Sequence, residues 1–390
     1  MSSLVLSISL VPASLLALTA GGDELEARLI FPLQPQHTHS ASLVELPNGD
    51  LLACWFQGSG ERKANDVVIR GARLRRGADA WSEPFELADT PNLPDCNPIL
   101  FLDAQDRLHL MWIAVIANRW EHSLLRYCVS EDYEGDGPPR WNRGDVLILE
   151  PGDGFRAVME ERFKELGVSE DLWAEYALPY TRQLIAAAED PIKRQLGWMT
   201  RIRPITLESG RMVLPLYSDG FNAGLVALSD DGGASWGPGG AIIGLGPIQP
   251  SITQRSDGAL VAFCRQSGHP DRAILRAMSF DEGETWTPAV PTDLPNPDAS
   301  VQTLALADGR WLLVYNDTRE GRASLAAALS DDEGETWGPP RPLERGDASY
   351  SYATAIQTRD GRVHVVYSVH TSDGKAIKHA SFPPDWPAAG

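Results

Sequence analysis

Ser279-Phe280-Asp281-Glu282-Gly283-Glu284-Thr285-Trp286 is the stretch on which the fold of this chain turns. The same frame, Ser-x-Asp-x-Gly-x-Thr/Ser-Trp, returns as Ser229, Asp231, Gly233, Ser235 and Trp236 and as Ser330, Asp332, Gly334, Thr336 and Trp337. From Trp236 to Trp286 to Trp337 the steps are 50 and 51 residues. In a hairpin the Asp accepts backbone N–H bonds across the turn, the Gly supplies a positive φ and the Trp plugs the layer beneath. Degenerate forms, Trp81 after a Gly/Asp turn and Ser130-x-Asp132 before Trp141, mark two earlier units.

A second mark runs in phase with the first. Turn dipeptides precede short β-branched and aromatic runs at Asn48-Gly49, Asp106-Arg107, Ser209-Gly210, Asp257-Gly258, Asp308-Gly309 and Asp360-Gly361. Each is the sequence form of a hairpin entering a buried strand. A period of about 50 residues with several strands is a propeller blade. Six units fit the 390 residues, so the expected fold is all-β, a six-bladed β-propeller over 27–388, closed when the extended segment 27–32 joins the last blade. Separate domains are rejected because no blade alone buries a core. A helical insertion is expected over 150–197, where Phe155, Val158, Met159, Phe163 and Leu166, then Trp173, Tyr176, Ala177 and Tyr180, then Leu184, Ile185 and Ile192 follow helical spacing. Its plain role is cover for one blade; a lid over the ligand mouth is the functional alternative.

Composition narrows the function. With 34 basic against 53 acidic residues the net charge is -19 and no Lys/Arg block follows a phosphate backbone, which disfavours nucleic acid. An anionic ligand must be held by local arginines against that field. Cys54, Cys96, Cys128 and Cys264 form no CxxC pair and read as buried thiols. The apolar run 4–18 resembles a secretory signal over 1–20, which points to a periplasmic or secreted protein, with a cytoplasmic one as the alternative. No other segment approaches the length of a membrane span.

The boxes resemble the Asp-box, or BNR, repeat of the sialidase (neuraminidase) superfamily. Gly197-Trp198-Met199-Thr200-Arg201-Ile202-Arg203-Pro204, Leu214-Pro215-Leu216-Tyr217-Ser218-Asp219-Gly220 and Tyr315-Asn316-Asp317-Thr318 look like its bacterial exo-alpha-sialidase-like subgroup. The resemblance implies a glycoside hydrolase with three carboxylate-holding arginines, a tyrosine nucleophile aided by a glutamate, and an aspartate acid/base. A guanidinium fork fits a carboxylate, and a neutral tyrosine avoids repulsion by an acidic sugar.

Carried over residue by residue, the pattern is incomplete. The first arginine position holds His39; the second falls on Arg265, the third on Arg322 and the nucleophile on Tyr352. The activating glutamate position holds Gln249, which cannot take a phenolic proton. In the acid/base loop 58–66, Asp66 matches a later structural aspartate, leaving Glu61 as the substitute. Arg201 and Arg203, alternating on one strand face, are candidates for the missing arginine. Asp219 and Asp95 are candidates for sugar hydroxyls, while Asn97 and Asp298 read as turn formers. Trp55, Trp112 and Trp198 are expected in the core rather than stacked on sugars.

The expected function is exo-hydrolysis of a terminal acidic, sialic-acid-like sugar, with an acidic oligosaccharide or glycan as partner. One alternative is a lyase or hydrolase at a uronate linkage with His39 and Tyr352 as base and acid. Another is a non-catalytic glycan-binding propeller. None of these readings requires a cofactor or metal, and the sequence does not fix the oligomeric state.

Overall fold

The computed structural model describes residues 24–168, 178–268 and 270–389. The segment 1–20, expected to be a secretory signal, and Trp173, Tyr176 and Ala177 of the insertion lie outside the described residues. Six antiparallel sheets are arranged as the blades of a propeller. The first contains His37–Glu45, Leu51–Gly58, Val68–Leu74 and Phe85–Ala88; the second contains Asp95–Leu102, Leu108–Val115, Ser123–Ser130 and Arg143–Val146. The fourth runs Pro247–Gln254, Leu260–Gln266, Ala273–Ser279 and Val290–Pro295, and the fifth runs Gln302–Ala305, Trp311–Tyr315, Ser324–Ser330 and Arg341–Arg345. In the third, the inner strand is broken into Met199–Thr200 and Ile205–Thr206, followed by Met212–Ser218, Ala223–Ser229 and Gly237–Ile242.

The sixth blade closes the ring. Ser349–Gln357, Val363–His370 and Lys375–Phe382 are joined by Glu26–Leu29, paired from Glu26 with Ser381 to Leu29 with Lys378. The expected closing segment is therefore the outer strand of the last blade.

Each hairpin between the inner strand and the next turns on one left-handed residue. Gly49, Gly210, Gly258, Gly309 and Gly361 have φ of 88, 90, 88, 91 and 88°, and Asp106 takes the same place at 57°. Aspartate tolerates that region better than most residues, which is why the second unit is harder to see in the sequence.

The Asp boxes are turn clamps. In the fourth blade Asp281 accepts from the Ser279 hydroxyl (2.8 Å), the Thr285 amide (2.9 Å) and the Thr285 hydroxyl (2.6 Å). The Gly283 amide donates to Ser279 Oγ, and φ at Gly283 is 93°. Bonds from Ser235 and from Thr336 likewise hold Asp231 and Asp332 down to about 2. Trp286 is buried, and at Gly240 of the neighbouring blade a Cβ would stand 2.7 Å from its ring. Glycine is required there by the close approach. Asp281→Ala removes three bonds and is expected to cost about 1–3 kcal/mol, seen as a lower denaturation midpoint at unchanged slope.

The insertion leaves after the second blade as helices Gly154–Glu165, Leu178–Ala187 and Pro191–Gln195. Phe155, Met159, Phe163 and Leu184 are buried in one apolar cluster with Trp198 and Phe221 of the third blade. Phe155 meets Phe221 edge-on at 5.0 Å. Covering the third blade is what these side chains do. Trp55, Trp112 and Trp198 are buried, as are the four free cysteines.

Candidate active site

The inner strands share a defect that builds the site. The register slips between His39 and Ser42, Cys96 and Ile99, Ile248 and Ser251, and Ser351 and Thr354. At each slip one residue is left-handed: Ser40 (φ 58°), Asn97 (50°), Gln249 (52°) and Tyr352 (57°), with Asp298 (60°) just before the fifth inner strand. Such bulges re-aim side chains, and left-handed backbone at a Gln or Tyr stores strain that clusters at functional sites. Here the re-aimed side chains face one mouth of the axial channel. Of these, Asn97, Gln249 and Tyr352 line a cavity of about 270 Å³ with His39, Glu61, Trp120, Tyr217, Asp219, Arg265, Ser267 and Arg322.

Arg265 is the hub of the floor. Its Nη1 donates to the Tyr352 hydroxyl (2.7 Å) and to Gln249 Oε1 (3.3 Å), and its Nε donates to Asp298 (2.7 Å). Gln249 Nε2 donates to Tyr352 (3.1 Å) and Tyr217 (3.2 Å), and Asn97 Nδ2 donates to Tyr217 (3.0 Å). Each phenol oxygen thus accepts two N–H bonds, and neither phenol proton has a partner in this network. A glutamate at 249 could not make these bonds, because it has no N–H to give. Three guanidiniums surround the Tyr352 ring, with Arg201, Arg322 and Arg265 at 4.9, 5.7 and 6.0 Å from its centroid. Arg322 donates to the Asp298 carbonyl at 2.5 Å, and burial lowers its pKa.

Two carboxyls face these cations. Asp219 is exposed to the cavity yet surrounded by protein; burial pushes it up to about 6, with Arg265 opposing and Asp298 adding. Glu61 is also raised by burial, against the pull of Arg62, 3.7 Å away. Arg62 in turn lies over the Trp120 ring at 5.0 Å, which fixes one wall. His39 stands with its ring centroid 4.1 Å from that of Tyr352, and its Nδ1 is 2.9 Å from Ser368 Oγ. Burial, then the charges of His370 and Arg322, hold its pKa well below the usual value, so the imidazole is neutral at pH 7.

This geometry can bind a carboxylate, supply a proton from a raised carboxyl and place a phenol oxygen among cations. A family model, that of the BNR repeat-like domain, matches residues 49–154 and 183–365, which contain the hairpins and boxes. The chain belongs to the BNR repeat-like domain family, within the sialidase superfamily. A sialidase of Micromonospora viridifaciens is 28% identical over 168 residues, 40% of this chain and 25% of that protein, so the match spans a quarter of the relative's length. Among solved structures, a Dyadobacter fermentans protein of unknown function superposes with TM-score 0.69 at 15% identity, covering 93% of this chain and 99% of that one. The leech intramolecular trans-sialidase superposes with TM-score 0.65 at 14% identity, covering 95% and 71%. At these identities the structural likeness is one of fold.

In this BNR propeller the structure brings Tyr352, Gln249, Arg265, Arg322, Asp219 and His39 to one mouth. It does not bring Arg201 and Arg203 there together. The third inner strand breaks between Thr200 and Ile205, so its side chains do not alternate on one face. Arg201 is buried behind Tyr352, donating to the carbonyls of Ala41 (3.3 Å) and Ala353 (3.0 Å) and to Thr354 Oγ1 (3.2 Å). Arg203 lies at the opposite mouth. Asp95 is not offered to sugar: fully buried, it accepts from the Thr90 amide (2.6 Å) and Trp112 Nε1 (2.9 Å), an anchor between strands. Asp66 accepts from the amide and hydroxyl of Ser59 and ties its loop, as expected. Trp120 and Tyr217 were not singled out by the sequence reading. Asp298, read as a turn former, also holds Arg265.

Proposed function

We propose that this protein is an exo-acting glycoside hydrolase that removes a terminal acidic sugar of the sialic-acid type. The observation that carries the reading is the convergence of Arg265 and Arg322 on Tyr352, in a cavity of single-sugar size. The substrate carboxylate lies between the two guanidiniums, where fixed N–H donors outcompete water. The phenol oxygen of Tyr352 attacks the anomeric carbon as the glycosidic bond breaks, its proton passing to the neutral imidazole of His39 beside it, while Arg265 meets the phenolate charge without reorganisation; water then displaces the phenol oxygen from the sugar. Asp219 gives its proton to the leaving oxygen, the role for which glycosidases raise one carboxyl. The relatives named sialidases support the superfamily chemistry.

The test is product mass after incubation with sialylated and uronate-containing oligosaccharides in heavy-oxygen water. Label in the released acidic sugar is expected; no turnover on any of them, with binding retained, would leave a glycan-binding propeller. The proton donor has its own signature. Asp219 is protonated below about 6, so kcat is expected to fall tenfold per unit as pH rises above that value. Asp219→Asn should abolish this limb. If the limb survives that change and disappears in Glu61→Gln, the acid is Glu61.

A second reading is favoured by His39. A neutral imidazole beside Tyr352 in the cavity suits proton abstraction next to an arginine-held carboxylate. An unsaturated uronate without heavy oxygen would select it.

A further inference from the structure

The axial channel has a second mouth, formed where the inner strands of all six blades end. It holds a cavity of about 570 Å³, lined among others by Arg203, Thr206, Thr253, Thr303 and Glu45. Between this cavity and the one around Tyr352 lie two to three residues of each inner strand, or about 10–13 Å. The two are separate sites.

Arg203, half-buried at this mouth, differs from the buried arginines. Arg73 bonds to the Tyr133 carbonyl and lies 3.5 Å from Asp50; Arg194 meets Glu150 and Asp153; Arg201 meets two carbonyls and a hydroxyl. Among the described residues no hydrogen bond or ion pair reaches Arg203; its Nε is sealed from solvent without a partner, as in Arg73, Arg194 and Arg201, but here the Nη nitrogens are unpaired as well. Burial lowers its pKa with no carboxylate to oppose the loss. Glu45, the acidic side chain on this wall, is occupied by Arg359, whose Nε is 3.3 Å away and whose amide donates at 3.0 Å. A partly desolvated cation with no counter-charge beside it is a ready partner for an anion. Thr253 and Thr303 are tied at 2.7 Å and Thr303 meets Ser251 Oγ at 3.2 Å, so these hydroxyls bond among themselves; among the described residues the exposed Thr206 hydroxyl on the same wall has no such tie.

We propose that this far mouth is a binding site for a small oxyanion, such as phosphate, sulfate or a free carboxylate, held by the Arg203 guanidinium and the Thr206 hydroxyl. A planar fork matches two oxygens of such an ion. Seated on the axis, the ion touches strands from several blades and acts as a staple of the ring. It stabilises the folded state by mass action, since the unfolded chain has no such site.

The experiment titrates inorganic phosphate at constant ionic strength into the full chain and follows the melting temperature. Three proteins are compared: wild type, Arg203→Gln, and the double variant Arg265→Gln/Arg322→Gln. A saturable rise, half-maximal on the order of 1 mM, is expected in wild type and in the double variant and absent in Arg203→Gln. Phosphorus NMR guards against a folding defect in the single variant: line broadening of phosphate should persist with the double variant at wild-type strength. No saturable rise in wild type overturns the proposal. So does a rise that survives Arg203→Gln and vanishes in the double variant, because the ion then sits at the Tyr352 mouth.

Discussion

Arg265→Ala is expected to weaken binding of an acidic monosaccharide by two to three orders of magnitude while leaving binding of its neutral, reduced analogue nearly unchanged. Three interactions are lost together: the bonds to Tyr352, Gln249 and Asp298. Asp298 then presents an unpaired carboxylate to the incoming carboxylate, so a favourable contact becomes a repulsive one. Truncating one partner of a partly buried charge pair costs about 2–5 kcal/mol, which is about 30-fold to several thousand-fold in affinity. Arg265→Lys should recover part of this, because it restores the charge but not the fork. Calorimetric titration of both sugars into the variants is the measurement. Equal losses for the acidic and neutral sugar would mean that Arg265 holds the shape of the cavity rather than the carboxylate.

Acid lability is the second large effect. Burial keeps His37 and His364 down to about 4 and His379 down to about 3, and lowers His39, His109 and His370 as well. In the unfolded chain each titrates near 6.5. Between pH 6.5 and about 4 the unfolded state binds protons that the folded state refuses, so stability falls as pH falls. Each such histidine contributes about 1.4 kcal/mol per pH unit to that slope. Asp95 and Asp219, raised to about 6, and Glu61, also raised by burial, work in the opposite sense over the same interval, since they take up protons more readily when folded. Three carboxyls do not cancel six imidazoles, and the melting temperature is expected to drop by at least about 10 °C from pH 6.5 to pH 4.5. His364 and His379 stack at 5.1 Å and 6°, with Nδ1 and Nε2 2.9 Å apart, at the seam where Arg28 pairs with His379. His379→Gln should flatten the slope by about one proton's worth. A melting temperature constant over this range would rule out burial of neutral imidazoles as the source of acid lability.

The architecture was legible because its signals are local. Three Asp boxes and six hairpin turns repeat in phase, and each depends on side chains within a few residues of one another. The closing strand was legible for a similar reason, as an extended segment left over once six blades are counted. The site was legible only through resemblance, which placed Arg265, Arg322, Tyr352, Gln249 and His39. Bulges explain what stayed hidden. Periodicity assigns alternate residues to alternate faces, and a slip after His39, Cys96, Ile248 or Ser351 breaks that rule where the cavity forms. A trace does exist: the left-handed residues are followed by Ala41, Pro98, Pro250, Ala299 and Ala353, small or ring-closed residues at one stage of five blades. Arg203 was misplaced by the same assumption, since a strand broken before Pro204 no longer alternates. Tyr217 was quoted in a motif yet passed over, because its role appears only when Asn97 and Gln249 arrive from two other blades.

Pairing of Glu26–Leu29 with Lys375–Phe382 has a temporal consequence. Leu29 and Lys378 are separated by 349 positions, so during synthesis the arc of blades stays open until Lys378 and its strand have emerged. Throughout that time the arc ends in a bare strand edge, to which the first strand of any neighbouring copy is as well matched as its own. Production at high local concentration is therefore expected to trade some rings for exchanged dimers, joined where the propeller should have closed on itself.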